Sequence, residues 1–254
     1  MCGLSIGLIS PKLSQAQKNI THKQMIWYGL FTTLKFSPTL YYQHEFQERH
    51  DINPFEQYQF LIRGHLHYVL GKSGWEASAG SSLFLHEQHN EASATRYTIP
   101  ELRPHVETAY KQKLSWGMID HRYRMEFRNF HNINSDNTGL DRGYRFTNFR
   151  FRYRFQVTLP LVKSTNDRGL KFKISNELFV NLGKKVGINV FDQNRFFTGF
   201  SYDILKNLTF ESGYMNLFQE KSNGNFYNRN ILRLTVFHTI DLKGKKRPED
   251  PLQK

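Results

Sequence analysis

Charged side chains at every second position are the feature of this sequence most able to do chemistry. Arg122, Arg124 and Glu126 show the spacing, and Arg150 and Arg152 repeat it. Successive side chains of a β-strand point to opposite faces, so each row is expected to lie on one face of its strand. The residues predicted to share a charged interior are Arg103, Glu107, Arg122, Arg124, Glu126, Arg128, Arg150, Arg152, Arg154, Glu177, Arg195 and Arg233.

Such a cluster has two chemical interpretations. Confined guanidinium groups repel one another, so they must meet carboxylates, water or a bound anion. In the first interpretation, cross-strand ion pairs fill a narrow interior. In the second, the arginines line a passage or a site for a small anionic solute. The sequence leaves both open.

Other chemistries find less support. Nucleic acid is not an expected partner, because alternation places the aromatic residues and the arginines on opposite faces. His65 and His67 share a face, but no third ligand can be named, so neither a metal nor another cofactor is predicted. A serine hydrolase needs a serine beside a histidine, and no His-x-Ser pair is present. Enzymatic activity is therefore not predicted, although a lipid-modifying enzyme remains an alternative.

The elements that must position these charges are β-strands. In residues 144–161, Phe149, Phe151 and Tyr153 alternate with Arg150 and Arg152, and the same pattern recurs along the chain. The candidate strands are 25–36, 39–49, 57–70, 75–86, 99–110, 115–129, 144–160, 170–182, 191–202, 208–218 and 227–242. Each is at least as long as the roughly 9–11 residues that a tilted strand needs to cross a bilayer.

These strands predict an all-β fold, a closed antiparallel up-and-down transmembrane β-barrel of about 10–12 strands. Bacterial barrels normally have an even number of strands, so the odd count suggests a miscounted strand or an N-terminal segment that crosses the interior. Short turns near residues 37–38, 71–74, 111–114 and 203–207 alternate with longer loops near 50–56, 87–98, 130–143, 183–190 and 219–226. This alternation favours the outer membrane of a Gram-negative bacterium.

Composition agrees with a barrel that faces lipid. Mean hydropathy is −0.60, yet aromatic residues make up 15% of the 254-residue chain. No apolar run approaches the roughly 18 residues of a spanning helix. Outer-membrane lipid is thus an expected partner, and Trp27, Trp75 and Trp116 are expected in an interfacial girdle. The oligomeric state is not predicted.

The chain divides into three segments. Residues 1–23 are predicted to be a leader or N-terminal segment, with a possible weak signal peptide ending at residue 16. The barrel is predicted over residues 24–242. Residues 243–254 form a basic tail, and the formal net charge of the chain is +13.

Several short motifs add a family resemblance. They include the strand around Trp27, residues 122–128, 150–153 and 177–181, the run Asp192-Gln193-Asn194-Arg195, and Gly213-Tyr214-Met215. In this order they resemble an uncharacterised bacterial outer-membrane family, domain of unknown function 2490. The resemblance covers most of residues 24–242 and implies location and fold, but no chemistry.

Together these observations predict an outer-membrane protein that is structural or a narrow, porin-like, anion-preferring conduit. The alternatives are the lipid-modifying enzyme and a soluble ligand-binding β-barrel whose aromatic face is turned inward.

Overall fold

The chain forms eleven strands that run over nearly the whole of its described length. The computed structural model describes residues 18–90, 95–162, 168–184, 186, 190–221 and 223–242. The strands are β1 (Ile20–Lys35), β2 (Leu40–Asp51), β3 (Glu56–Val69), β4 (Trp75–Asn90), β5 (Thr95–Leu114), β6 (Gly117–Ile133), β7 (Leu140–Val162), β8 (Leu170–Leu182), β9 (Phe191–Leu205), β10 (Leu208–Glu220) and β11 (Phe226–Asp241). These ranges hold no helix long and apolar enough to cross a membrane.

The strands close into a barrel. Each strand pairs antiparallel with its neighbours in the chain, and β1 pairs in parallel with β11. The all-β barrel predicted from the sequence is confirmed. The expectation that an odd count means a miscounted strand was wrong. Parallel pairing of the first and last strands closes a barrel of eleven strands without leaving an edge. We call the end where β1 begins the N-terminal end, and the end where β11 finishes the C-terminal end.

Alternation explains why these segments form one barrel wall. In β7, Arg150 and Arg152 are buried, whereas Phe155 on the other face is exposed. On the neighbouring β8, Glu177 is buried and Leu178 is exposed. Since one face of a closed sheet lines its interior, the charged residues point inward and the apolar ones outward. This is the opposite of a soluble barrel with an inward aromatic face.

The connections are more even in length than the sequence suggested. The two-residue links Ser115-Trp116 and Lys206-Asn207 lie at the C-terminal end, where tight turns were expected. At the other end, the loop predicted at 183–190 falls between the end of β8 and the start of β9, and its residues 185 and 187–189 lie outside the described residues. The loops predicted at 87–98 and 130–143 are mostly strand, because β4 to β7 extend into them. Polar residues on both faces of these extensions hide the alternation.

The predicted segments at the chain ends fall mostly outside the described residues. The predicted leader up to residue 17 and the basic tail 243–254 lie outside the described residues. Within the described part, β1 already begins at Ile20, before the predicted start of the barrel at residue 24.

Candidate functional site

The interior of the barrel has two parts, one filled by side chains and one that holds a cavity. We call the filled part, toward the N-terminal end, the closing layer. It mixes charged and apolar side chains, all deeply buried or in ion pairs with buried partners. Its members are Met25, Leu61, Phe84, Glu101, Arg103, Glu126, Arg128, Arg150, Phe179, Asp192 and Ile231.

Glu126 is the centre of one ion-pair group in the closing layer. The β6 strand holds Glu126 opposite Arg150 of β7. Arg150 donates to Glu126 at 2.5 Å and to Asp192 at 2.9 Å, and Arg152 donates to the other oxygen of Glu126 at 2.5 Å. Two arginines therefore share one fully buried carboxylate, whose negative charge would be costly to bury without them.

Glu101 is the centre of a second group. It accepts hydrogen bonds from Arg103 on the same strand and from Arg128 of β6, the latter at 2.6 Å. The imidazole of His86 lies 2.7 Å from the same carboxylate. Residues from β4, β5 and β6 are thus joined through one buried carboxylate.

Two phenylalanines pack against the arginines of the interior. The Arg103 guanidinium lies 3.6 Å from the ring centre of Phe84. Phe179 has Arg152 at 4.3 Å and Arg195 at 4.6 Å from its ring centre. These cation–π contacts let apolar and charged side chains pack together within the closing layer and where it meets the cavity. Among the described residues, the side chains of the closing layer therefore fill the N-terminal part of the barrel interior.

The cavity lies between the closing layer and the C-terminal end. Its volume is about 290 Å³, near the lower end of the roughly 300–1,000 Å³ typical of small-molecule sites. It extends from Trp27 to Lys111, near the turn between β5 and β6. Ten arginine and lysine side chains line it, against six aspartates and glutamates. The lining therefore carries an excess of positive charge.

Most cations of the cavity are paired across strands. Glu107 accepts a hydrogen bond from Arg124 at 2.6 Å. Glu177 accepts hydrogen bonds from Arg122 at 2.6 Å and from Arg152 at 2.7 Å. Two further pairs are Arg154–Asp120 at 2.7 Å and Arg233–Glu211 at 3.6 Å.

Arg195 differs from the other interior arginines. Glu177 lies opposite it on β8, but that carboxylate already accepts hydrogen bonds from Arg122 and Arg152. Arg195 makes no hydrogen bond or ion pair with any residue of the described ranges, and its Nε is buried. Its guanidinium instead lies near the rings of Trp27 and Phe179.

The structure divides the predicted charged residues between the two parts of the interior. Arg103, Glu126, Arg128 and Arg150 belong to the closing layer. Eight line the cavity: Glu107, Arg122, Arg124, Arg152, Arg154, Glu177, Arg195 and Arg233. Sequence reasoning missed Glu45, Arg49, Asp192 and Glu211. The alternating run Glu45-Gln47-Arg49 was a usable signal, whereas no row of alternating charges marked Asp192 or Glu211.

The three tryptophans do not form one girdle. Trp75 and Trp116 are 40% and 50% exposed and lie beside turns of the C-terminal end. Trp27 is only 4% exposed and packs with Met25, Phe197 and Met215 inside the barrel. The prediction of an interfacial position was therefore wrong for Trp27.

Two histidines, His65 and His67, line another part of the cavity wall, and His105 packs behind them. Gly80 lies between His65 of β3 and His105 of β5, and its lack of a side chain lets the two rings approach to 5.5 Å between centres. The neighbouring His67 stacks on Tyr41, with 4.4 Å between ring centres. Within the described ranges, no group of three or more His, Cys, Asp and Glu side chains is arranged to hold a metal ion.

Fold and interior together define a closed β-barrel with apolar side chains exposed on its outer surface and a charged interior. The chain belongs to the family described as protein of unknown function (DUF2490), whose model matches residues 24–228. Among solved structures, it is similar to the β domain of the Bordetella autotransporter BrkA. That similarity has 10% identity and a TM-score of 0.41, over 80% of this chain and 82% of the other. None of the curated proteins compared with the chain matches it.

Proposed function

We propose that this protein is an outer-membrane β-barrel whose cation-lined cavity takes up a small anionic solute from one end. The membrane part of the proposal rests on the outer surface. Exposed side chains there include Leu66, Val106, Leu178, Phe200 and Leu232, from strands all around the barrel. A bilayer requires an apolar outer surface and a backbone without unpaired polar groups. A closed barrel meets the second condition because its backbone hydrogen bonds are satisfied between strands.

The observation that carries the anion part is the charge of the cavity. Its wall holds ten cationic side chains and six acidic ones. In a confined space of low dielectric constant, an excess of fixed positive charge attracts anions and repels cations. The cavity is therefore suited to an anionic solute.

The closing layer favours a binding cavity over an open conduit. Glu101, Glu126 and Phe179 are fully or almost fully buried across this part of the interior. An ion crossing the barrel would have to displace their paired arginines, which costs several kcal/mol for each buried ion. Conduction is expected to be small or absent while these pairs hold.

Planar-bilayer recording combined with calorimetry tests the proposal. The purified barrel is expected to require detergent, to insert into bilayers with little or no conductance, and to bind inorganic phosphate. A chain that stays monomeric without detergent would contradict the membrane assignment. A large stable conductance would contradict the closing layer, and an absence of phosphate binding would contradict the anion cavity.

A second candidate function, hydrolysis of an acyl ester, draws on one observation. Glu76 binds Nδ1 of His67 at 2.6 Å, and Ser78 lies opposite His67 on the paired strand. These are the residue types of a serine hydrolase. However, the buried Oγ of Ser78 makes no hydrogen bond within the described chain, to His67 or to any other residue. Ester hydrolysis that is lost in Ser78→Ala would favour this function over anion binding.

A further inference from the structure

We propose that Arg49, Arg195 and the indole of Trp27 form a binding site for a small oxyanion, such as a carboxylate or phosphate group. The site lies on the floor of the cavity, by which we mean the end that adjoins the closing layer. This inference rests on the proposed function, since it names the place in the cavity where the anion binds and the chemistry that it must have.

The geometry brings the three side chains together from separated strands. Trp27 of β1 and Arg49 of β2 are directly opposed in the antiparallel pair. The Arg49 guanidinium lies 4.0 Å from the centre of the Trp27 ring, and the Arg195 guanidinium lies 5.3 Å from it. Arg195 comes from β9, which is separated from β1 by β10 and β11. It therefore reaches Trp27 across the barrel interior.

Neither arginine forms an ion pair with a carboxylate of the described ranges. The hydrogen bonds of Arg49 go to the amide oxygens of Gln47 and Gln59. Arg195 has no hydrogen-bonding partner within the described ranges. Two guanidinium groups near one ring repel each other, and an anion between them removes the repulsion. The two arginines thus supply positive charge that is not engaged in an ion pair with any described residue.

The available donors specify the chemistry of the ligand. Nε of Arg195 and Nε1 of Trp27 are both buried donors without an acceptor in the described chain. Guanidinium groups bind the oxygens of carboxylates and phosphates in pairs of hydrogen bonds, which a single spherical ion cannot match. An oxyanion is therefore expected to bind better than chloride.

Apolar side chains complete the site. Phe197 and Met215 line the cavity and pack with Trp27 in one buried cluster. This surface limits access of water to the guanidinium groups, which strengthens their interaction with a bound charge.

The experiment uses Trp27 as the reporter. In a chain with Trp75→Phe and Trp116→Phe, Trp27 is the remaining tryptophan of the sequence. Inorganic phosphate, added at constant ionic strength to the refolded barrel in detergent, is expected to change Trp27 emission with saturation. Chloride is expected to produce no saturable change over the same concentrations. Calorimetry on the same samples measures binding independently of fluorescence.

Two substitutions separate the site from the general charge of the cavity. Arg195→Gln is expected to weaken phosphate binding at least tenfold, and it leaves no carboxylate unpaired, so the barrel should still fold. Arg154→Gln removes the same charge from the same cavity, where Arg154 is paired with Asp120. This control is expected to keep most of the affinity. Migration of heated and unheated samples on gels confirms that both variants fold.

The outcomes distinguish the two proposals. Loss of binding in Arg195→Gln but not in Arg154→Gln supports the site. Equal loss in both variants, or full binding in Arg195→Gln, overturns the site while the anion cavity stands. An equal saturable response to chloride overturns the choice of an oxyanion. No calorimetric binding of phosphate to the unsubstituted chain overturns the proposed function itself.

Discussion

Lys35 near the end of β1 lies opposite Asp241 near the end of β11, so the first and last strands of the barrel run in the same direction. This parallel seam follows from the odd number of strands, because an up-and-down barrel of eleven strands brings its ends together in parallel. The seam also places the start of β1 and the end of β11 at opposite ends of the barrel.

Engineered cysteines can test the parallel seam. Leu30 and Val236 are paired across it and point outward. In a Cys2→Ser background, Leu30→Cys with Val236→Cys is expected to form a disulfide, because paired positions have suitable Cα separation. The product is detected by gel mobility before and after reduction. The control is Leu30→Cys with Phe210→Cys, in which Phe210 lies one strand further from β1. Cross-linking of the control alone would contradict the seam.

The closing layer is expected to be sensitive to the loss of a single carboxylate. Glu126→Gln removes the carboxylate that Arg150 and Arg152 share. Each arginine keeps one other carboxylate, so two buried positive charges lose a partner although neither is left unpaired. Removing one partner of a buried ion pair typically costs about 3–5 kcal/mol. Urea unfolding in detergent, followed by tryptophan fluorescence, measures the loss.

The matched control for this prediction is Glu56→Gln. Glu56 pairs with Arg96 at 2.7 Å, but both side chains are largely exposed. Exposed pairs contribute about 0.2–1 kcal/mol. Equal losses of stability in the two variants would show that the Glu126 pairs are not needed to hold the interior together.

The barrel could be predicted from the sequence because charged and apolar residues alternate along most strands. Rows such as Arg150, Arg152 and Arg154 mark one face of a strand without any knowledge of its neighbours. For β1, the sequence could not predict in the same way which side chains point into the barrel. Residues 25–31 are apolar on both faces, so nothing indicated that Trp27 points inward with Met25.

The partners of the charged residues were also beyond the reach of the sequence. Arg195 has the spacing of any other interior arginine, yet its paired Glu177 is taken by Arg122 and Arg152. Which arginine remains without a carboxylate depends on side chains from three strands. The anion site proposed on the floor of the cavity could therefore not be predicted from the sequence.

Tryptophan accessibility offers a direct check of the corrected positions. In chains that keep one tryptophan each, Trp75 and Trp116 are expected to be quenched by acrylamide or by brominated lipid. Trp27 is expected to emit at shorter wavelength and to resist both quenchers, because it is buried inside the barrel. Strong quenching of Trp27 by brominated lipid would place it on the outer surface.

Gly80 is expected to tolerate no side chain. A Cβ there would lie 2.2 Å from the backbone oxygen of Gly64 and 2.5 Å from Cβ of His65. Such overpacking typically costs about 1–3 kcal/mol, so Gly80→Ala should lower the urea midpoint. Gly139→Ala is the control, since the nearest atom there, Nδ2 of Asn134, is 3.8 Å away. If both variants unfold at the same midpoint, β3 and β4 are not packed this closely.

The outward face is tested by placing a charge on it. Phe151 lies near the middle of β7, between Met125 and Val180 of the flanking strands. An arginine that faces lipid at the bilayer midplane costs roughly 2–4 kcal/mol, so Phe151→Arg is expected to impair folding into lipid vesicles. Phe151→Leu keeps the face apolar and is expected to fold normally.

The neighbouring interior residue provides the comparison that decides between the faces. Arg152→Gln leaves Glu126 bound to Arg150 and Glu177 bound to Arg122, so each carboxylate keeps a partner. Its effect on assembly should therefore be much smaller than that of Phe151→Arg. The fraction folded in vesicles, read from the heat-dependent shift on gels, measures both. If Phe151→Arg folds as well as Arg152→Gln, the apolar face does not contact lipid and the outer-membrane assignment is wrong.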